Sequence, residues 1–243
     1  NFVLAIMCGN PVIWKPSEKT PLTAIACTYL FNNAIAKFKN APNHLLQLAM
    51  GGREISDILL ESPDISLISA TGSCDMGHYV ASKVSARLGR YLLELGGNNA
   101  MILAPSAELE LAVHAITFAA LGTAGQRCTT LRRLIIHRSI YDKIIPRLKT
   151  IYEKVKVGNP LETGVLMGPL ISKQSYESMQ ESLKIARDQG GTVHGGERTL
   201  QDHPDAYYVR PALVEMKSQT EIVKTETFRS EERRVGKECL RLC

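Results

Sequence analysis

Short apolar runs alternate along the chain with longer stretches in which apolar residues recur every three or four positions, so it reads as strands interleaved with helices. Residues 12–14 read as a strand that ends in a turn at Pro16. Thr20-Pro21 opens a helix with an N-cap hydroxyl and a proline at the first helical position, and Leu22, Ile25, Ala26, Tyr29 and Leu30 recur along it at helical spacing. After Gly51-Gly52 the pattern predicts a short helix over 54–60, a buried strand over 65–68, a helix over 73–88 and a strand over 91–93. Beyond Gly96-Gly97 the rhythm restarts. Strands are predicted over 100–103 and 134–137, helices over 107–121, 140–155 and 173–189, and a last strand over 207–214 around Pro211. This order predicts the α/β class, a parallel sheet with covering helices, and the glycine pair marks a domain boundary between 1–97 and 98–228.

Composition adds bounds to this outline. At 243 residues, 44% hydrophobic and 22% charged, the chain is long enough for one large core or two modest domains of ordinary globular type. It has no run of eighteen apolar residues, so no membrane span is expected. The net charge is +5, but in 229–243 five basic residues against three acidic ones already supply +2 of it. The body is only mildly basic, and no nucleic-acid partner is expected. The six cysteines form no C-x-x-C pair, which favours reduced thiols and a cytoplasmic or mitochondrial-matrix setting. The six histidines show no metal-ligand spacing, so no metal is expected. The apolar start lacks a basic leader and reads as the interior of a longer protein.

Candidate chemistry concentrates in two segments whose key residues, Glu94 and Cys128, stand 34 positions apart. Cys128 follows Gly122, Gly125 and Gln126 in a small-residue loop, with Arg127, Arg132 and Arg133 nearby, and positive neighbours raise the thiolate fraction of a cysteine. A buried cysteine is usually only a small hydrophobe, which is the reading for Cys8, Cys27 and Cys74. Glu94 stands among apolar residues before two glycines, either as a partnered carboxylate holding a loop or as a general base tuned by burial. Ser69-Ala70-Thr71-Gly72-Ser73 follows a strand and opens a helix, so Gly72 and Ser73 can either hold a phosphate or merely cap the helix. Trp14-Lys15-Pro16-Ser17-Glu18 is, on its own, a strand end and a turn with two solvated charges.

Together these segments resemble the aldehyde dehydrogenase superfamily: Trp-Lys-Pro-Ser-Glu, Thr-Gly-Ser, Glu-Leu-Gly-Gly, Gly-Gln-x-Cys-Thr and Glu-Thr-Phe (226–228) stand in the family's order, over 1–228. The resemblance implies an aldehyde dehydrogenase-like fold, a partial Rossmann-type cofactor domain followed by an α/β catalytic domain. It implies Cys128 as the nucleophile and Glu94 as the base that activates water. Trp14, Lys15, Glu18, Gly72, Ser73, Leu95 and Glu226 inherit contacts to the cofactor, with NAD favoured over NADP because a carboxylate at Glu18 repels a 2′-phosphate. The implied reaction oxidises an aldehyde to the acid through a cysteine thiohemiacetal and thioester, in an enzyme that is a homo-oligomer at full length.

Leu-Gly-Gly-Asn-Asn-Ala and Gly-Thr-Ala-Gly-Gln-Arg-Cys-Thr-Thr most resemble the branch acting on α-aminoadipic semialdehyde. Arg127 is there a candidate partner for a substrate carboxylate, or equally a bridge between loops. Two other readings stay open: a cysteine acyltransferase or hydrolase without nucleotide, and a fragment without activity of its own. At Phe228 the resemblance stops. Residues 229–243 are polar, lack periodicity and match what a common sequencing-adapter DNA encodes, so a non-native tail is expected there.

Overall fold

Parallel strand pairs bridged by helices organise the first of two compact units in the computed structural model, which describes residues 1–228 and the backbone of 231–235; the units divide between Leu95 and Gly96. In the first unit, α1 (Phe2–Met7) leads to β1 (Val12–Trp14), α2 (Pro21–Ile35) and β2 (Leu46–Leu48), followed by α3 (Arg53–Glu61), β3 (Leu67–Gly72), α4 (Cys74–Ala86) and β4 (Arg90–Leu95). β1 pairs in parallel with β2, and β3 with β4. Parallel neighbours need a crossover, and α2 and α4 supply the two. Leu60, Val80 and Val84 form the local core, with Ile68 and Leu93 packed on it.

Three expectations are corrected here. The strand placed at 65–68 lies at Leu67–Gly72, because its ladder with β4 pairs every residue from Leu67 with Arg90 to Gly72 with Leu95. The Thr20 side chain makes no cap bond, so the start of α2 rests on Pro21, whose fixed φ suits the first turn. The apolar stripe along α2 is not its buried face: only Ala24 is buried, while Leu22, Tyr29 and Leu30 are 79%, 65% and 66% exposed. No described residue covers that stripe.

The second unit runs through β5 (Ala100–Leu103), α5 (Leu109–Leu121), a tight turn at Gly122–Gly125, β6 (Arg133–Ile136), α6 (Arg138–Lys154), α7 (Lys173–Asp188), β7 (Thr192–His194), β8 (Ala212–Met216), α8 (Glu221–Lys224) and β9 (Glu231–Val235). Its sheet has the order β5-β6-β9-β8-β7, parallel except for β7 against β8. Ile116, Leu121, Leu134, Ile144, Leu148, Met179, Leu183 and Leu213 are fully buried at its centre. The strand expected over 207–214 begins only after Pro211, which has no N–H for a ladder. Of the expected tail, residues 231–235 run as a strand between β6 and β8, and 229–230 and 236–243 lie outside the described residues.

A charge cluster ties this unit together. Glu215 on β8 accepts hydrogen bonds from Tyr141 (2.5 Å) and His194 (2.9 Å) and pairs with Lys149 at 2.7 Å, joining α6, β7 and β8. Partial burial pushes its carboxyl up, but the bonds from Lys149, Tyr141 and His194 outweigh that and hold the pKa at about 2. The folded value lies below the unfolded one, so this stabilisation is present in full above the unfolded carboxylate range, near pH 4, and is lost as pH falls toward 2. Glu215→Gln is expected to destabilise the protein by about 1–3 kcal/mol at pH 7 and by much less near pH 2. Denaturant melts at the two pH values check this, and an equal loss at both would count against it.

Candidate active site

The register of β3 on β4 sets Thr71 beside Glu94 and Gly72 beside Leu95, so two of the motifs end at the same carboxyl edge of one parallel pair. Open α/β sheets bind ligands beyond such edges. Ser73 caps α4 by accepting a bond from the Met76 N–H at 3.2 Å, one of the two roles the sequence left open. The helix start it caps still presents N–H groups suited to an anion. Gly77 in α4 lets that helix close on β4: a Cβ there would come within 2.5 Å of Leu95 Cδ1. Glu94 itself is exposed, not buried among its apolar neighbours. The reason is strand geometry. Leu93 and Leu95 turn to the half-buried face, and Glu94, one residue between them, turns with Thr71 to the other.

Lys15 leaves the end of β1 and is half-buried, whereas Glu18 is exposed. Its Nζ donates to the carbonyls of Pro16 (2.8 Å) and Gly51 (3.1 Å) and pairs with Glu18 at 3.0 Å. A backbone hydrogen bond and the Lys15 ammonium hold the Glu18 carboxyl below its ordinary value, which keeps this solvent-facing group anionic. Trp14 is stacked on Phe2, with ring centroids 6.3 Å apart.

In the second unit α5 ends at Gly122, and Thr123, Ala124 and Gly125 follow with φ of 57°, 51° and 69°. A left-handed backbone costs a non-glycine residue roughly 1–2 kcal/mol, so the surrounding fold must hold this turn in place. It leads directly into Cys128 and Thr129, both exposed, before the chain returns inward at Thr130. Asn99 clips the loop from behind, donating to the carbonyls of Cys128 (2.6 Å) and Thr130 (2.9 Å), while Asn98 donates to Val223 (2.7 Å). Both asparagines thus close loops, as their place after the glycines suggests. Gln126 exchanges bonds with Pro169 and Ile171.

Arg127 packs on Gly122, where a Cβ would overlap its guanidinium. It donates to the Phe118 carbonyl at 3.1 Å and lies 5.0 Å from the Phe118 ring. These contacts make it a bridge between the loop and α5, the alternative left open beside a substrate role. Arg132 differs from its expected part as one more positive neighbour of the thiol. It is 3% exposed and pairs with Glu226 at 3.0 Å, so its charge is answered inside the fold. Sequence reasoning missed Arg132 as an organiser of the site. Its partners are mostly backbone carbonyls, which leave no mark in the side-chain pattern.

Glu94 belongs to the first unit, and Cys128, Arg132 and Glu226 to the second. Among the described residues no three His, Cys, Asp or Glu side chains gather to hold a metal, and no helix is long and apolar enough to cross a membrane.

A profile of the aldehyde dehydrogenase family matches residues 1–229. The chain belongs to the aldehyde dehydrogenase family. It is 41% identical over 228 residues to aldehyde dehydrogenase family 7 member B4 of Arabidopsis thaliana, covering 94% of this chain and 44% of that protein. Identity is 42% over 230 residues to the α-aminoadipic semialdehyde dehydrogenase of Bos taurus, covering 94% and 42%. The fold matches betaine aldehyde dehydrogenase of Staphylococcus aureus in complex with NAD+ at a TM-score of 0.86 and 28% identity, over 94% of this chain and 45% of that one. It also matches a glyceraldehyde-3-phosphate dehydrogenase of Methanocaldococcus jannaschii complexed with NADP at 0.86 and 31%, over 95% and 49%. The chain thus spans less than half the length of the curated relatives it matches.

Proposed function

We propose that the protein carrying this chain oxidises an aldehyde to the corresponding acid with NAD, Cys128 being the nucleophile and Glu94 the base. One observation carries this reading. The Cys128 side chain is exposed on a loop whose backbone is fixed from behind by Asn99 and Arg132, so the nucleophile is accessible and its position is set by the fold. The Cys128 thiolate adds to the aldehyde carbon to give a thiohemiacetal, oxidation at that carbon leaves a thioester, and Glu94 takes a proton from the water that hydrolyses it. The acid departs and the thiolate is restored.

The residues present fit a dinucleotide. Ser73 and Gly72 stand at the N-terminus of α4 for a pyrophosphate, Lys15 and Glu18 beyond β1 for a ribose, and Trp14 and Leu95 line the same unit. Glu226 Oε2 lies where a Cβ on Gly96 would overlap it, a cradle open only because residue 96 is glycine. When bound, NAD supplies the hydride acceptor.

For the substrate we infer a semialdehyde bearing a distant carboxylate. The α-aminoadipic semialdehyde dehydrogenase at 42% identity supports this, with Arg127 as a second contact through donors its loop does not use. The test follows absorbance of the reduced cofactor with α-aminoadipic semialdehyde, using protein from the complete reading frame. NAD is expected to be preferred to NADP, and Glu18→Ala to narrow that preference about tenfold or more by removing the anion that repels a 2′-phosphate. Thioester hydrolysis without binding of either nucleotide in calorimetry would instead establish an acyl hydrolase.

A further inference from the structure

We propose that Arg132 is a positioning residue that sets the Glu226 carboxylate for its ligand, with Gly96 as the opposite side of the same clamp. The proposal rests on the reading of Glu226 as a cofactor ligand. Two donors of Arg132, Nε at 3.2 Å and Nη2 at 3.0 Å, converge on one oxygen, Oε1 of Glu226. The same guanidinium is itself fixed by four carbonyls. It donates to Gly97 at 3.4 Å, Gly125 at 3.3 Å, Thr227 at 3.1 Å and Arg127 at 3.0 Å, and lies 5.0 Å from the Phe228 ring. A planar fork held at so many points cannot rotate about Glu226, so Oε1 has one position.

The second oxygen is then set as well. Oε2 lies against Gly96, in space that any side chain at 96 would occupy. Glu226 stands after the single turn of α8, outside any helix or strand, where a glutamate without such a clamp would sample many rotamers. The arrangement therefore does for Glu226 what its own backbone cannot. It leaves one carboxylate oxygen oriented, and the side chain still 22% exposed to meet a ligand. Because Arg132 also holds the carbonyls of Gly125 and Arg127, one side chain ties the Glu226 carboxylate to the loop that carries Cys128.

The experiment uses protein from the complete reading frame and reads the pre-steady-state rate of cofactor reduction with saturating aldehyde, the KM for NAD, and the affinity for AMP as a probe of the adenosine half. Glu226→Gln, Arg132→Gln and Gly96→Ala are each expected to slow reduction by about 10–100-fold while AMP affinity is unchanged. The double variant Arg132→Gln with Glu226→Gln is expected to be no slower than Glu226→Gln alone, since Arg132 acts through Glu226. Gly96 has no positive φ, so alanine fits its backbone and displaces only the carboxylate; it decides the matter if Arg132→Gln does not fold. If Arg132→Gln and Gly96→Ala reduce cofactor within about twofold of the parent while Glu226→Gln is slow, Arg132 is structural and the proposal is overturned, with the role of Glu226 intact. A parental rate in Glu226→Gln overturns both.

Discussion

Cys128→Ala is expected to abolish aldehyde oxidation, lowering kcat/KM by on the order of 10⁴-fold or more, with the fold unchanged. The two halves of that expectation come from different parts of the loop. Chemistry needs the sulfur, because alanine has no nucleophile with which to form the covalent intermediate. Structure does not need it: Cys128 is exposed, and the contact that fixes its position runs from Asn99 to its backbone carbonyl, which alanine keeps. The loss of stability is therefore expected to stay within about 0.5 kcal/mol, as for other surface substitutions away from caps and networks. Cofactor reduction and a thermal melt on the same preparation separate the two. Cys8 is also exposed, and Cys8→Ala serves as the control that should retain the parental rate. An alanine variant within tenfold of the parent would remove Cys128 from the mechanism.

The loop around Cys128 was more legible in the sequence than the contacts that hold it, for a physical reason. Cys128, Gly125 and Gln126 form a local pattern, whereas Arg132 meets Glu226 across 94 positions and holds four carbonyls that any residue would present. Long periodic helices such as α6 and α7 fell within a few residues of their expected bounds, because a stripe repeated over several turns averages out local exceptions. Three-residue strands such as β2 and β7 are too short to show a period. β3 was shifted because Ser69 and Thr71 are polar and interrupt the apolar run, yet the ladder with β4 needs only their backbone. The same cause hid β9, whose sequence Glu-Glu-Arg-Arg-Val reads as a polar tail while its backbone pairs on both sides.

Glu94 shows how a motif can suggest the wrong surroundings for its own residue. Apolar neighbours on both sides suggested burial, but in a strand adjacent residues face opposite ways, so the neighbours' burial argues for exposure of the residue between them. The exposed position makes Glu94→Gln a clean test, since an amide of the same shape costs little stability there. A base that acts only on the thioester is not needed to form it. Glu94→Gln is therefore expected to keep the first burst of cofactor reduction while steady-state kcat falls about 10²–10⁴-fold. Between the two phases the acyl group should accumulate on Cys128, visible as added mass on the peptide that contains it. Cys128→Ala should show neither burst nor adduct, so the pair of variants divides the reaction at the thioester. Loss of the burst in Glu94→Gln would place the carboxylate earlier, as the group that deprotonates Cys128.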